Sequence, residues 1–173
     1  MESDMNTEHG CYTEHGVSGY GVAAKLSRKD AMDTDFVKAM AEEMMMLIAQ
    51  KCMDEGARCI GHIKSHIRTP AGTIKADTIG TSHGSYSTGR LDHAVDQFYI
   101  AINSIVQGIK EDVVKTATLD GLHEVAHDRG IDVLKEKEHT YFDEFDFVTS
   151  KQDYIKQLGE QLDDDDISEA TDT

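Results

Sequence analysis

Apolar residues recur at helical spacing between Asp33 and Gly56. Phe36, Val37, Met40, Met44, Leu47, Ile48 and Cys52 fall on one stripe. Asp33, Thr34 or Asp35 can cap the start and Gly56 can end it, which predicts a helix of about 20 residues. Met44, Met45 and Met46 make part of that surface adaptable. A stripe of this kind is the ordinary mark of a helix packed on a sheet.

The period then changes to two. Cys59 to Arg68 alternates, Thr69-Pro70-Ala71-Gly72 offers a turn, and Thr73 to Ile79 reads as the return strand of a hairpin. Ile63 and Ile67 share one face with Cys59. His62, Lys64, His66 and Arg68 line the other, with Lys75 across the hairpin and Asp77 opposite Lys64. Residues 80–92 read as a loop rich in Gly, Ser and Thr. Phe98, Ile100 and Ile102 alternate in a third strand near Gln97–Gln107, where β-branched and aromatic content favours strand over a competing helix at 92–109. A second helix spans about 111–129, with Val114, Ala117, Leu122, Val125 and Ala126 facing the core and Gly130 as its stop. A last strand starts at Ile131 and runs to Phe147 at most.

These elements predict a single α+β domain of order α-β-β-β-α-β over 31–148. Its sheet is antiparallel or mixed and carries two helices on one face. Residues 1–30 hold Gly10, Gly16, Gly19 and Gly21 and little apolar periodicity, so they read as a flexible polar leader. Residues 149–173, with the run Asp163–Asp166, read as an acidic polar tail.

Charge narrows the functions. The chain carries 33 acids against 17 bases, a formal net charge of −16. That balance speaks against nucleic-acid backbones and anionic membranes, and for basic partners or cations. Adaptation to a salty cytoplasm is the plain alternative. No apolar run reaches the roughly 20 residues of a membrane-spanning helix, and Met1 to Gly10 has no signal-peptide core. Three irregularly spaced cysteines, Cys11, Cys52 and Cys59, do not make a disulfide framework, which points to a reducing cytoplasm.

Three constellations can carry chemistry. His123-Glu124-Val125-Ala126-His127 matches HExxH, in which two histidines a helical turn apart bind zinc and the glutamate acts as general base. Gly130 continues the pattern toward HExxHxxG. The expected third ligand falls on Val133, so Glu136, Glu138 or His139 would have to replace it. In a chain with nine histidines such a match also arises by chance. The second constellation is Glu8, His9, Cys11, Glu14 and His15, in a short Thr-Glu-His-Gly repeat, whose imidazoles and thiolate suit zinc, nickel or cobalt. An unstructured polar leader is the competing reading. The third is the partner surface His62, Lys64, His66 and Arg68, suited to an acidic partner or a phosphate, or else an ordinary solvated sheet face. There is no G-x-x-x-x-G-K-[ST] loop, no G-x-G-x-x-G and no CxxC.

Gly61-His62-Ile63-Lys64, following a helix that ends in Glu55-Gly56-Ala57, resembles the small α+β domain that accompanies CobW-type metallochaperone GTPases. The resemblance covers about residues 35–145, and no GTPase domain is present. It implies an accessory role in metal or corrinoid cofactor handling. The sequence thus favours a non-catalytic accessory protein that handles a metal ion or a metal-cofactor partner, with another protein as partner. A zinc hydrolase using Glu124 and an interaction subunit without metal are the alternatives.

Overall fold

The computed structural model describes residues 16–138. Six strands and two helices follow in the order β1 (Val17–Met32), α1 (Thr34–Asp54), β2 (Cys59–Thr69), β3 (Gly72–Thr78), β4 (Tyr86–Leu91), β5 (Val95–Gln107), α2 (Glu111–Asp128) and β6 (Asp132–Glu138). The strands form one antiparallel sheet in the order β4-β3-β2-β5-β1-β6. The expected α-β-β-β-α-β series is contained in this order, which adds β1 and β4.

Both additions correct the sequence reading. Residues 17–30, expected within a flexible leader, lie in β1, hydrogen-bonded to β5 on one side and β6 on the other. Its buried positions are small or alternate plainly: Val22, Ala24 and Leu26 enter the core. Glycine and alanine between them mask the period of two, yet a strand held on both sides needs little side-chain propensity of its own. Residues 86–91, expected within a loop, form edge strand β4. There Gly89, at φ +92°, sits so close to the β3 backbone that a Cβ would meet Thr73 O at 2.1 Å. The last strand is described to Glu138; its expected continuation to Phe147 lies outside the described residues.

The helices follow their sequence signals. The Asp33 side chain accepts the Phe36 N–H at 2.8 Å and caps α1. Val37, Met40, Met44, Ile48 and Cys52 of the expected stripe are buried, joined by Ala41, Met45 and Ala49. In α2, Glu111 and Asp112 oppose the helix dipole in the first turn. Val114, Ala117, Leu122, Val125 and Ala126 are buried as expected, and Gly130 follows at φ +64°. Where the helices meet, a Cβ on Gly121 would lie 2.5 Å from Ile48 Cγ1, so only glycine permits that approach.

On β5, Phe98, Ile100 and Ile102 are buried with Ile63 and Ile67 of β2 and Ile74 of β3. Each large apolar side chain so buried contributes about 1.5–3 kcal/mol. Ser104 belongs to the same side, with its hydroxyl 2.8 Å from Thr118 of α2. A register shift between Ile60 and His62 changes the phase at Gly61. Ile60 is therefore buried and Cys59 exposed, although alternation alone groups Cys59 with Ile63. No described helix is long and apolar enough to cross a membrane.

A basic sheet face as the candidate functional site

Successive strand residues point to opposite sides of a sheet, so the pairing registers state which side chains are neighbours. The residues that alternate with the buried apolar set make three rows across the strands. One row runs Arg90, Thr73, Arg68, Tyr99, Lys25 and Lys135, from β4 to β6. The next runs Thr88, Lys75, His66, Ala101, Ala23 and Lys137. The third runs Tyr86, Asp77, Lys64, Asn103 and Gly21. At ~4.8 Å per strand the first row spans about 24 Å.

Seven lysines and arginines thus share this side with Asp77 and, at the corner beside Ser27, Asp132. The β6 sequence Lys135-Glu136-Lys137-Glu138 sorts its own charges. Both lysines join the rows, whereas Glu136 and Glu138 turn the other way to His123 and Lys115 of α2. Negative charge gathers elsewhere: Asp54, Glu55, Asp112 and Asp120 line a cleft between α1 and α2.

Contacts within the rows order the cations. His62 Nε2 lies 3.1 Å from Asp77 Oδ2. Arg68 donates from Nη2 to His66 Nδ1 at 3.3 Å, and the Lys25 ammonium stands 5.7 Å over the Tyr99 ring. Burial, then the charges of Arg68 and Lys75, push His66 down to about 4, so its ring is neutral at physiological pH. All four residues expected on the partner surface, His62, Lys64, His66 and Arg68, lie here together. Lys75 faces His66 and Asp77 faces Lys64, as the hairpin register predicts. Sequence reasoning missed Lys25, Arg90, Tyr99, Lys135 and Lys137. The lysine–glutamate alternation of β6 was a signal for the last two, but it acquires meaning only once β6 is known to pair with β1.

The HExxH residues are arranged differently. His123 Nε2 is 2.8 Å from Glu136 Oε2, and His127 Nδ1 is 3.2 Å from Asp128 Oδ1. Glu124 is held by Lys51 of α1 at 2.7 Å, a hydrogen bond that raises the lysine pKa. Val133, at the position of a third ligand, packs against the core. Among the described residues no three His, Cys, Asp or Glu side chains come together as a metal-holding group. Glu8, His9, Cys11, Glu14, His15 and His139 lie outside the described residues.

No protein-family model matches the chain, and neither a curated protein nor a solved structure matches it.

Proposed function

We propose that this chain is a non-catalytic accessory protein of the reducing cytoplasm that takes an acidic partner protein on the basic face of its sheet. Both helices then cover the opposite face and build the core. The observation that carries this reading is the gathering of seven cations on one side of the sheet in a chain of net charge −16. A partner of opposite charge complements cations gathered on one side of a sheet. The resemblance of residues 35–145 to a CobW-type accessory domain supports the accessory role, and free Cys52 and Cys59 suit a reducing compartment.

The test uses polyglutamate as a model acidic polypeptide and fluorescence anisotropy of the full chain at low salt. Lys64→Glu/Arg68→Glu should weaken binding tenfold or more. Lys38→Glu/Lys110→Glu, with the same change in net charge but on other elements, should leave it within about twofold. Equal losses in both variants would reduce the effect to net charge and remove the face from the proposal.

A second reading rests on His123 beside Glu136: an imidazole and a carboxylate already 2.8 Å apart, with His127 one turn away. In that reading the chain binds zinc and hydrolyses a substrate with Glu124 as base. Elemental mass spectrometry of the untagged protein decides it. About one zinc per chain, lost in His123→Ala and retained in an inactive Glu124→Gln, supports the hydrolase. Metal lost only with His9→Ala/His15→Ala supports a metal carrier through the N-terminal residues, with nickel or cobalt also suited to those ligands.

A further inference from the structure

Asn103 stands on β5 within the basic rows, between Lys64 of β2 and Gly21 of β1. It is 7% exposed, and its Oδ1 is buried without a hydrogen-bond partner. A buried acceptor left unpaired costs about 1–3 kcal/mol, and few such atoms survive in folded proteins. Among the described residues the other two orphaned atoms, the hydroxyls of Tyr20 and Ser65, belong to the core side of the sheet, away from these rows. Gly21 has no side chain to reach Asn103, and Ala101 and Ala23 beside it are small. The centre of the rows is thus a floor of short side chains, with Lys64, Arg68, Lys25 and Lys137 around it. The terminal torsion of an asparagine is broad, so the amide oxygen can turn outward at little cost.

We propose that the face recognises an acidic polypeptide segment, whose carboxylates meet the surrounding cations and whose N–H donates to Asn103 Oδ1. This rests on the basic face being the binding surface. A polypeptide supplies both partners at once. Its alternate residues recur about every 6.8 Å when extended, the same interval that separates Lys64, His66 and Arg68 along β2. Single-stranded nucleic acid fits less well, because it needs open aromatic faces for its bases. On this side Tyr99 is already covered by Lys25, leaving Tyr86 at the edge.

Two probes separate the parts of the proposal. Polyglutamate carries carboxylates and N–H groups, whereas polyacrylate carries carboxylates alone. Asn103→Ala in the full chain should weaken polyglutamate about threefold to tenfold and leave polyacrylate unchanged. Asn103→Ser, which keeps an acceptor oxygen, should recover part of the loss, and circular dichroism checks that both variants fold. If Asn103→Ala affects neither polymer, or both equally, its role as acceptor is overturned; the basic face still stands if Lys64→Glu/Arg68→Glu weakens both. If charge reversal affects neither, the face falls as well. Oligothymidylate binding more tightly than polyglutamate would overturn the polypeptide assignment.

Discussion

At the scale of residues, His66 makes the basic rows measurable. Its folded pKa is pushed down to about 4 by burial and by Arg68 and Lys75, against 6.5 ordinarily. On the same face Lys64, Asp77, Tyr99 and Lys25 are the next titratable groups. The unfolded chain takes up a proton near pH 6.5 and the folded chain resists until about 4. Protons therefore favour unfolding in that window, and stability falls as pH drops through it. Denaturant midpoints compared at neutral pH and near pH 4.5 should fall further in the native chain than in His66→Gln. Nuclear magnetic resonance should place the imidazole midpoint well below its ordinary value; a midpoint near 6.5 would show that neither burial nor the cations bear on it. Much at this scale was legible. Alternation from His62 to Arg68 and the Pro-Ala turn fix His66 opposite Lys75 and Lys64 opposite Asp77. The phase of Cys59 was not, because a one-residue shift at Gly61 leaves no mark that alternation can register.

At the scale of elements, the packing of α1 on α2 turns on Gly121. Alanine there improves helix propensity by about 1 kcal/mol, yet its methyl would meet Ile48 Cγ1 at 2.5 Å, so the Ile48 side chain or the helices must shift. Overpacking of this kind costs about 1–3 kcal/mol. Gly121→Ala should therefore lower the melting temperature by several degrees in calorimetry, and an unchanged or raised value would show that the helices separate freely. Both helices were legible because caps, glycine stops and the 3.6-residue period agree. The hairpin was legible for the same kind of reason, turn chemistry between two alternating runs. β1 and β4 were not. Gly19, Gly21, Ala23 and Ala24 imitate a linker, and Gly89 and the serines of 80–92 imitate a loop. What makes both segments strands is pairing with residues distant in sequence, β5 for β1 and β3 for β4.

For the whole molecule, net charge alone conceals how charge is distributed along the chain. Residues 139–173 contain eleven acids against two bases, and residues 1–15 contain four acids and no base. Residues 16–138 hold eighteen acids and fifteen bases, nearly balanced, and the sheet then sorts them by side. A sum over the chain therefore obscures a local surplus of cations. That surplus was visible in part from the hairpin, and its continuation onto β1, β5 and β6 needed the strand order.

The position of β1 also dictates how the protein is made. Val17–Met32 leaves the ribosome before the other described strands, but both of its neighbours come much later: β5 ends at Gln107 and β6 at Glu138. The hairpin of β2 and β3 can close at once, whereas β1 must wait for about half of the chain to be synthesised before it finds a partner. Pairing over such sequence separations is slow. During that wait, the strand that ends up held on both sides is an unpaired edge, open to other chains.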